Sequence, residues 1–142
     1  MLDFFSGKRV LVTGHTGFKG MWLCKLLELA GAQVSGYALK PVNRKAQEVL
    51  MQSGVLGQMH SVIGDIRDLE ALKKVFVEEA PEIVLHLAAQ PIVRESYRDP
   101  VSTYGTNVMG TVNVLECIRQ SDTVRSVLNV TTDKVYENKE WI

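Results

Sequence analysis

The stretch Arg9-Val10-Leu11-Val12-Thr13-Gly14-His15-Thr16-Gly17-Phe18-Lys19-Gly20 decides how the chain folds. Val10–Thr13 is a β-branched and aliphatic run of the kind found in buried parallel strands, and it ends at a glycine. A helical pattern begins at once, so Gly14 to Gly20 reads as a strand-to-helix turn. Its glycines are spaced G-x-x-G-x-x-G, against the G-x-G-x-x-G of the common dinucleotide turn, but the physics is shared. A turn without side chains lets backbone approach a diphosphate, whose charge then sits on free N–H groups at the positive end of the helix. A Walker phosphate loop is excluded, because Lys19 precedes Gly20 and no Gly-Lys-Ser/Thr follows four spacers. The plainer alternative is a turn whose glycines serve packing alone.

Bulk composition narrows the classes further. With 142 residues, 46% of them hydrophobic, the chain can build one domain with a sizeable core. Lys+Arg and Asp+Glu balance at 16 each, so no global field favours nucleic acid or an anionic membrane. Any grip on phosphate must come from local geometry. The apolar runs are too short to span a bilayer, and Met1–Phe5 lacks the apolar core of a signal peptide. Cys24 and Cys117 fall inside predicted helices with no metal-like spacing, which reads as buried thiols of a reducing cytoplasm; no metal site is expected.

Downstream, Phe18, Trp22, Leu26 and Leu29 recur at helical spacing and are expected to form the buried stripe of the first helix, flanked by Leu23 and Leu27. Gly31 stops that helix and Gln33–Leu39 is a second strand. The strand ends Tyr37-Ala38-Leu39-Lys40 with Arg44 nearby and no carboxylate for the adenosine ribose. That favours a 2′-phosphate or a loosely held NAD, unless Lys40 and Arg44 are merely solvated. Arg44–Gln52 is a short helix and Ser61–Gly64 a third strand, leading to Gly64-Asp65-Ile66-Arg67-Asp68. Asp65 is placed to accept from an adenine amino group. Asp68 caps a helix buried through Leu69, Leu72, Phe76 and Ala80 and closed by Pro81. Ile83–Ala88 is a fourth, continuously apolar strand, whose His86 reads as a hydrogen-bonded core imidazole. Asp99-Pro100 starts a long helix to Gln120, bent near Gly105, with Val108, Val112 and Leu115 inside. Ser126–Thr131 is the fifth strand. Alternating β and α elements with right-handed crossovers give an α/β, Rossmann-like doubly wound parallel sheet of order 3-2-1-4-5.

Taken together, Thr13–Gly20, Gly64–Asp68 and Leu87-Ala88-Ala89-Gln90-Pro91 resemble the extended short-chain dehydrogenase/reductase superfamily. Thr131-Thr132-Asp133-Lys134-Val135-Tyr136-Glu137 is similar to the CDP-glucose 4,6-dehydratase branch, with Lys134 where related sugar-nucleotide dehydratases carry glutamate. The resemblance implies NAD held by Gly14, Thr16, Gly17, Phe18, Lys19 and Gly20 at the turn. Asp65 and Ile66 would lie at the adenine, and Leu87, Ala88, Ala89, Gln90 and Asn107 near the nicotinamide ribose. It implies an internal redox elimination on CDP-glucose: hydride leaves sugar C4, water is lost across C5–C6, and hydride returns at C6. Asp133 would protonate the departing C6 hydroxyl, and Thr132 would hydrogen-bond the C4 oxygen. Lys134 stands at the place of the C5 base, a role requiring a lowered pKa; otherwise it polarises the enolate. The product would be CDP-4-dehydro-6-deoxyglucose, a precursor of bacterial surface deoxysugars such as those of O-antigen lipopolysaccharide. Family members form homo-oligomers through helices including the long one here.

One departure matters. The family's catalytic tyrosine lies in Tyr-x-x-x-Lys, whereas Tyr37, Tyr97, Tyr104 and Tyr136 are followed four residues later by Pro41, Val101, Val108 and Glu140. The 142 residues are therefore expected to be an NAD-binding front portion (1–142) without the substrate-binding lobe, and to show no turnover alone. A nucleotide-sugar 4-epimerase and a non-catalytic dinucleotide-binding module are the competing readings.

Overall fold

The structure is a computed structural model that describes residues 2–132 together with Glu137. Five parallel strands, β1 (Arg9–Thr13), β2 (Gln33–Ala38), β3 (His60–Ile63), β4 (Ile83–His86) and β5 (Ser126–Asn129), form one sheet in the order β3-β2-β1-β4-β5. This is the expected Rossmann-like topology. Helices α1 (Phe18–Leu29), α2 (Arg44–Gln52) and α3 (Leu69–Glu79) connect the first four strands. Between β4 and β5 run α4 (Val93–Arg98), α5 (Pro100–Tyr104), a π-helical turn over Gly105–Gly110, and α6 (Thr111–Gln120).

Side-chain alternation along the strands splits the core in two. Val10 and Val12 of β1, with Ile83 and Leu85 of β4, pack against Met21, Cys24 and Leu27 of α1 and Leu50 of α2. Leu11 and Val84 point the other way, onto Leu72, Val75 and Phe76 of α3 and Val114 and Cys117 of α6. Each buried Val or Leu stabilises by roughly 1.5–3 kcal/mol relative to exposure. Both faces are covered, which explains why β1 and β4 read as unbroken apolar runs. The helix punctuation expected from sequence is present: Asp68 and Asp99 accept from the amides of Ala71 and Ser102, and Gly31 takes φ +76° just past α1; Asn43, which the sequence reading did not single out, caps α2 by accepting from the Ala46 amide.

Two helix faces are corrected. Phe18, Trp22, Leu26 and Leu29 are 50–75% exposed, and α1 buries Gly20, Met21, Cys24 and Leu27 instead. The helix FKGMWLCKLLEL is apolar nearly all round, so periodicity did not choose a side. Gly20 chooses it, since only a residue without Cβ lets the helix backbone close on the Gly14 carbonyl. Likewise Val108, Val112 and Leu115 are nearly half exposed while Gly110, Val114 and Cys117 face inward. A Cβ on Gly110 would come within 2.5 Å of Ile66 Cδ1, so the helix lies unusually close to the loop after β3. The long helix expected from Pro100 to Gln120 is interrupted by the π turn, and α4 precedes it unforeseen. Strands end early: β5 stops at Asn129, β4 at His86 and β2 at Ala38, while β3 begins at His60 and stops at Ile63. Ala80 is a left-handed C-cap (φ +42°) and not a face residue of α3.

All four residues of β5 are exposed, and among the described residues β5 pairs only with β4. An apolar edge of this kind is a template for pairing with another chain. The 142-residue chain is expected to self-associate with rising concentration, and Leu128→Lys to suppress it. A concentration-independent monomer mass by light scattering would contradict this.

Candidate functional site

The strand order reverses between β1 and β4. Connections from β1 run one way through β2 and β3, and those from β4 the other way to β5, so the loops beyond their carboxyl ends diverge and leave a crevice. A cleft of about 530 Å³ occupies it. Its floor is the glycine turn, where Gly14, Thr16, Gly17, Phe18, Lys19 and Gly20 line it.

Several local features shape that floor. Gly14 has φ +78°, and a Cβ there would sit 2.9 Å from the Ala88 amide nitrogen. The turn is closed by the Gly17 amide donating to the Gly14 carbonyl at 3.0 Å and tied to β2 by the Gly14 amide on Tyr37 O at 2.9 Å. The Thr16 hydroxyl donates to Leu39 O at 2.8 Å. Gly17 is the N-cap of α1 and offers no side-chain acceptor, so the amides of Phe18, Lys19 and Gly20 have neither an intrahelical partner nor a side-chain cap. Main-chain donors, the helix dipole and a surface cleared of Cβ atoms together suit an anionic diphosphate.

One wall is the loop after β3. Asp65 and Ile66 line the cleft beside Gly64. The Asp65 carboxylate accepts from the Arg67 amide (2.9 Å), Nε (2.9 Å to Oδ2) and Nη2 (2.6 Å). The Arg67 hydrogen bonds hold its pKa below the ordinary carboxylate value, so Asp65 is ionised at neutral pH. With four lone-pair positions, an ionised carboxylate keeps capacity for a further donor. The Tyr37 hydroxyl donates to Asp65 O at 3.0 Å, fixing the loop from beneath.

The opposite wall follows β4, where Leu87, Ala88, Ala89 and Pro91 line the cleft. A buried relay holds it. The Leu87 and Ala88 amides donate to Thr13 Oγ1 at 3.1 and 3.2 Å, which leaves the Thr13 hydroxyl hydrogen for His86 Nδ1 at 2.6 Å. His86 Nε2 then carries the proton and donates to Thr111 Oγ1 at 3.0 Å, and Thr111 donates to Asn107 O at 2.9 Å. Burial pushes the His86 pKa down, consistent with a neutral structural imidazole.

Gln90 and Asn107, expected near the nicotinamide ribose, do not line the cleft, although their chain neighbours Ala89, Pro91 and Thr106 do. Their groups bind each other: the Gln90 amide donates to Asn107 Oδ1 (2.7 Å) and Asn107 Nδ2 donates to Gln90 O (3.0 Å). The Gln90 carboxamide is further engaged with Ile92 and Thr103. Thr131 lines the cleft from beyond β5 and the exposed Thr132 follows it. Asp133 and Lys134 lie outside the described residues. Sequence reasoning missed Ala38, Leu39, Val42, Gly64, Thr106 and Val130, which also line the cleft. Ala38 ends β2, and Leu39, Gly64 and Val130 directly follow a strand, a signal that does not depend on residue chemistry; Val42 and Thr106 come from the β2–α2 loop and the π turn. At the end of β2 the lining includes Lys40 and no carboxylate.

Elsewhere, no group of His, Cys, Asp and Glu among the described residues could hold a metal, and no described helix is long and apolar enough to cross a membrane. Cys24 and Cys117 are buried free thiols, pushed up by burial to about 12 and about 11.

Comparison with known proteins agrees with this geometry. The chain is 51% identical over 141 residues to CDP-glucose 4,6-dehydratase of Salmonella typhimurium, covering 99% of this chain and 38% of that protein. It is 35% identical over 137 residues to UDP-glucuronate 4-epimerase 2 of Arabidopsis thaliana, covering 92% and 31%. The crystal structure of UDP-glucose-4-epimerase from Stenotrophomonas maltophila, with bound NAD and formylated UDP-arabinopyranose, superposes with a TM-score of 0.80 at 26% identity, covering 94% of this chain and 40% of that one. The chain thus spans well under half the length of these relatives. The family model described as GDP-mannose 4,6 dehydratase matches residues 11–140, and the chain belongs to that family.

Proposed function

We propose that these residues form the NAD-binding portion of a CDP-glucose 4,6-dehydratase. The observation that carries this reading is the 51% identity to the Salmonella dehydratase over 99% of the chain, against 35% to the plant epimerase. Support for NAD comes from the uncapped amides of α1 and the Cβ-free cradle at Gly14 and Gly20, and from the structural relative that holds NAD. Bound in the cleft, NAD would supply a reversible hydride acceptor. The chain's own residues would orient the reacting sugar: Thr132 hydrogen-bonds the C4 oxygen, Asp133 gives a proton to the departing C6 hydroxyl, and Lys134 serves at C5. The product, CDP-4-dehydro-6-deoxyglucose, suits the synthesis of surface deoxysugars such as those of O-antigen lipopolysaccharide. The reading includes a cytoplasmic location and a homo-oligomer for the complete enzyme.

The test is a chimera in which this chain replaces the matching stretch of the Salmonella enzyme. It is expected to convert CDP-glucose to a product lacking the C6 oxygen, and Asp133→Asn to lower kcat by about 10²- to 10⁴-fold, the usual worth of a positioned acid. The 142-residue chain by itself is expected to bind NAD without turnover. A chimera that loads NAD but only inverts C4 would favour an epimerase. One that loads NAD and does neither would favour a non-catalytic module.

A further inference from the structure

The segment from α5 to α6 touches both walls of the cleft through two asparagines. Asn107, in the π turn, exchanges two hydrogen bonds with the backbone of Gln90, just beyond the β4 wall. Asn113, in α6, donates from Nδ2 to Ile66 O at 2.9 Å and to Arg67 O at 3.1 Å, in the β3 wall. Neither side chain lines the cleft. Each instead satisfies main-chain groups of a loop that has no sheet ladder to hold it.

The geometry points to Asn107 and Asn113 as positioning residues that fix the separation of the two walls, and so the span available to a dinucleotide. This rests on the proposed reading of the cleft. The supporting structure is specific. A π turn inserts one residue into a helix and rotates everything after it by about 100° relative to what precedes it. That rotation sets the aim of Asn113 relative to Asn107. The His86–Thr111–Asn107 hydrogen bonds pin the π turn to β4, and the close approach of Gly110 to Ile66 pins the other flank to the β3 loop. One rigid helix therefore sets two loops at a fixed distance, with the glycine turn between them.

The test uses the 142-residue chain with NAD and with ADP, which lacks the nicotinamide half. Losing a hydrogen bond that orders a loop is worth about three- to tenfold in affinity. Asn113→Ala is expected to weaken NAD and ADP alike by that factor, because its loop carries the adenine-side residues Asp65 and Ile66. Asn107→Ala is expected to weaken NAD by the same factor and leave ADP unchanged. Hydrogen exchange of the ligand-free chain supplies a readout independent of the ligand: Asn107→Ala unprotects the Gln90 amide, whereas Asn113→Ala leaves it protected. The crossed controls report folding, since unchanged ADP affinity certifies one variant and Gln90 protection the other. Wild-type NAD affinity in both variants would overturn the positioning role, as would equal losses of NAD and ADP in both with a matched fall in melting temperature. Wild-type chain that binds neither ligand would overturn the cofactor reading itself, and the positioning role with it.

Discussion

Gly20→Ala is expected to abolish measurable NAD binding and to lower the stability of the chain by about 3 kcal/mol, the upper range for forcing atoms into a packed interior. For a domain of this size that is a fall of roughly 10 °C in melting temperature. The added Cβ would run into the Gly14 carbonyl, with the Gly14 carbonyl carbon 2.8 Å and His15 Cα 2.9 Å away. All three neighbours are backbone, so no rotamer change relieves the clash and α1 must move off the turn. That movement carries the amides of Phe18 and Lys19 away from the cleft floor. Gly57→Ala is the matched control, since nothing lies within 4 Å of its Cβ position and its φ is not positive. It should be neutral or slightly stabilising. Calorimetric melting with NAD titration decides the matter, and a Gly20→Ala chain that melts and binds like wild type would refute the account of the turn.

Acid is expected to destabilise the chain well before its carboxylates titrate, through His15. This side chain is wholly buried within the glycine turn; its Nε2 lies 2.6 Å from Ser61 Oγ and its Nδ1 has no partner among the described residues. The neutral ring bonds Ser61 through Nε2 in either tautomer, whereas the protonated ring would bury a charge with Nδ1–H unpaired, so the neutral ring is the folded form. Burial lowers its pKa from 6.5 to about 4. The unfolded chain therefore binds a proton that the folded chain refuses. The stability is fully present above pH 6.5 and is lost as pH falls through that window towards about 4, to a total of about 3 kcal/mol. His86, lowered for the same reason, acts in the same direction. Urea midpoints should fall between about pH 7.5 and about pH 4.5, and more steeply for wild type than for His15→Gln. Superimposable pH profiles of the two chains would exclude His15 as the cause.

The sheet was legible in the sequence because strands buried on both faces announce themselves as short apolar runs, and because Gly14, Gly31, Asp68 and Asp99 punctuate them by local chemistry. Helix orientation was not legible where it depended on a contact. In α1, apolar residues occupy nearly every face, and the side that turned inward was selected by a missing Cβ meeting a carbonyl six residues earlier. Helix α4, with the sequence VRESYR, buries no residue and so carries no periodic stripe to detect. The π turn leaves no compositional trace beyond Gly105 and Gly110. At the site, residues with distinctive chemistry, such as Asp65, were readable. Lining residues such as Ala38, Leu39 and Val130 owe their place to position at a strand end and could be found only from the topology.

The uncapped start of α1 has a consequence for how such a scaffold diversifies. What it offers a ligand's negative charge is peptide nitrogen, which every amino acid but proline carries. Substitutions that retune sugar chemistry at the far tip of the sheet leave that grip untouched. Dehydratases and epimerases can then work as separate trades on one shared handle, provided the glycines that keep it bare are retained.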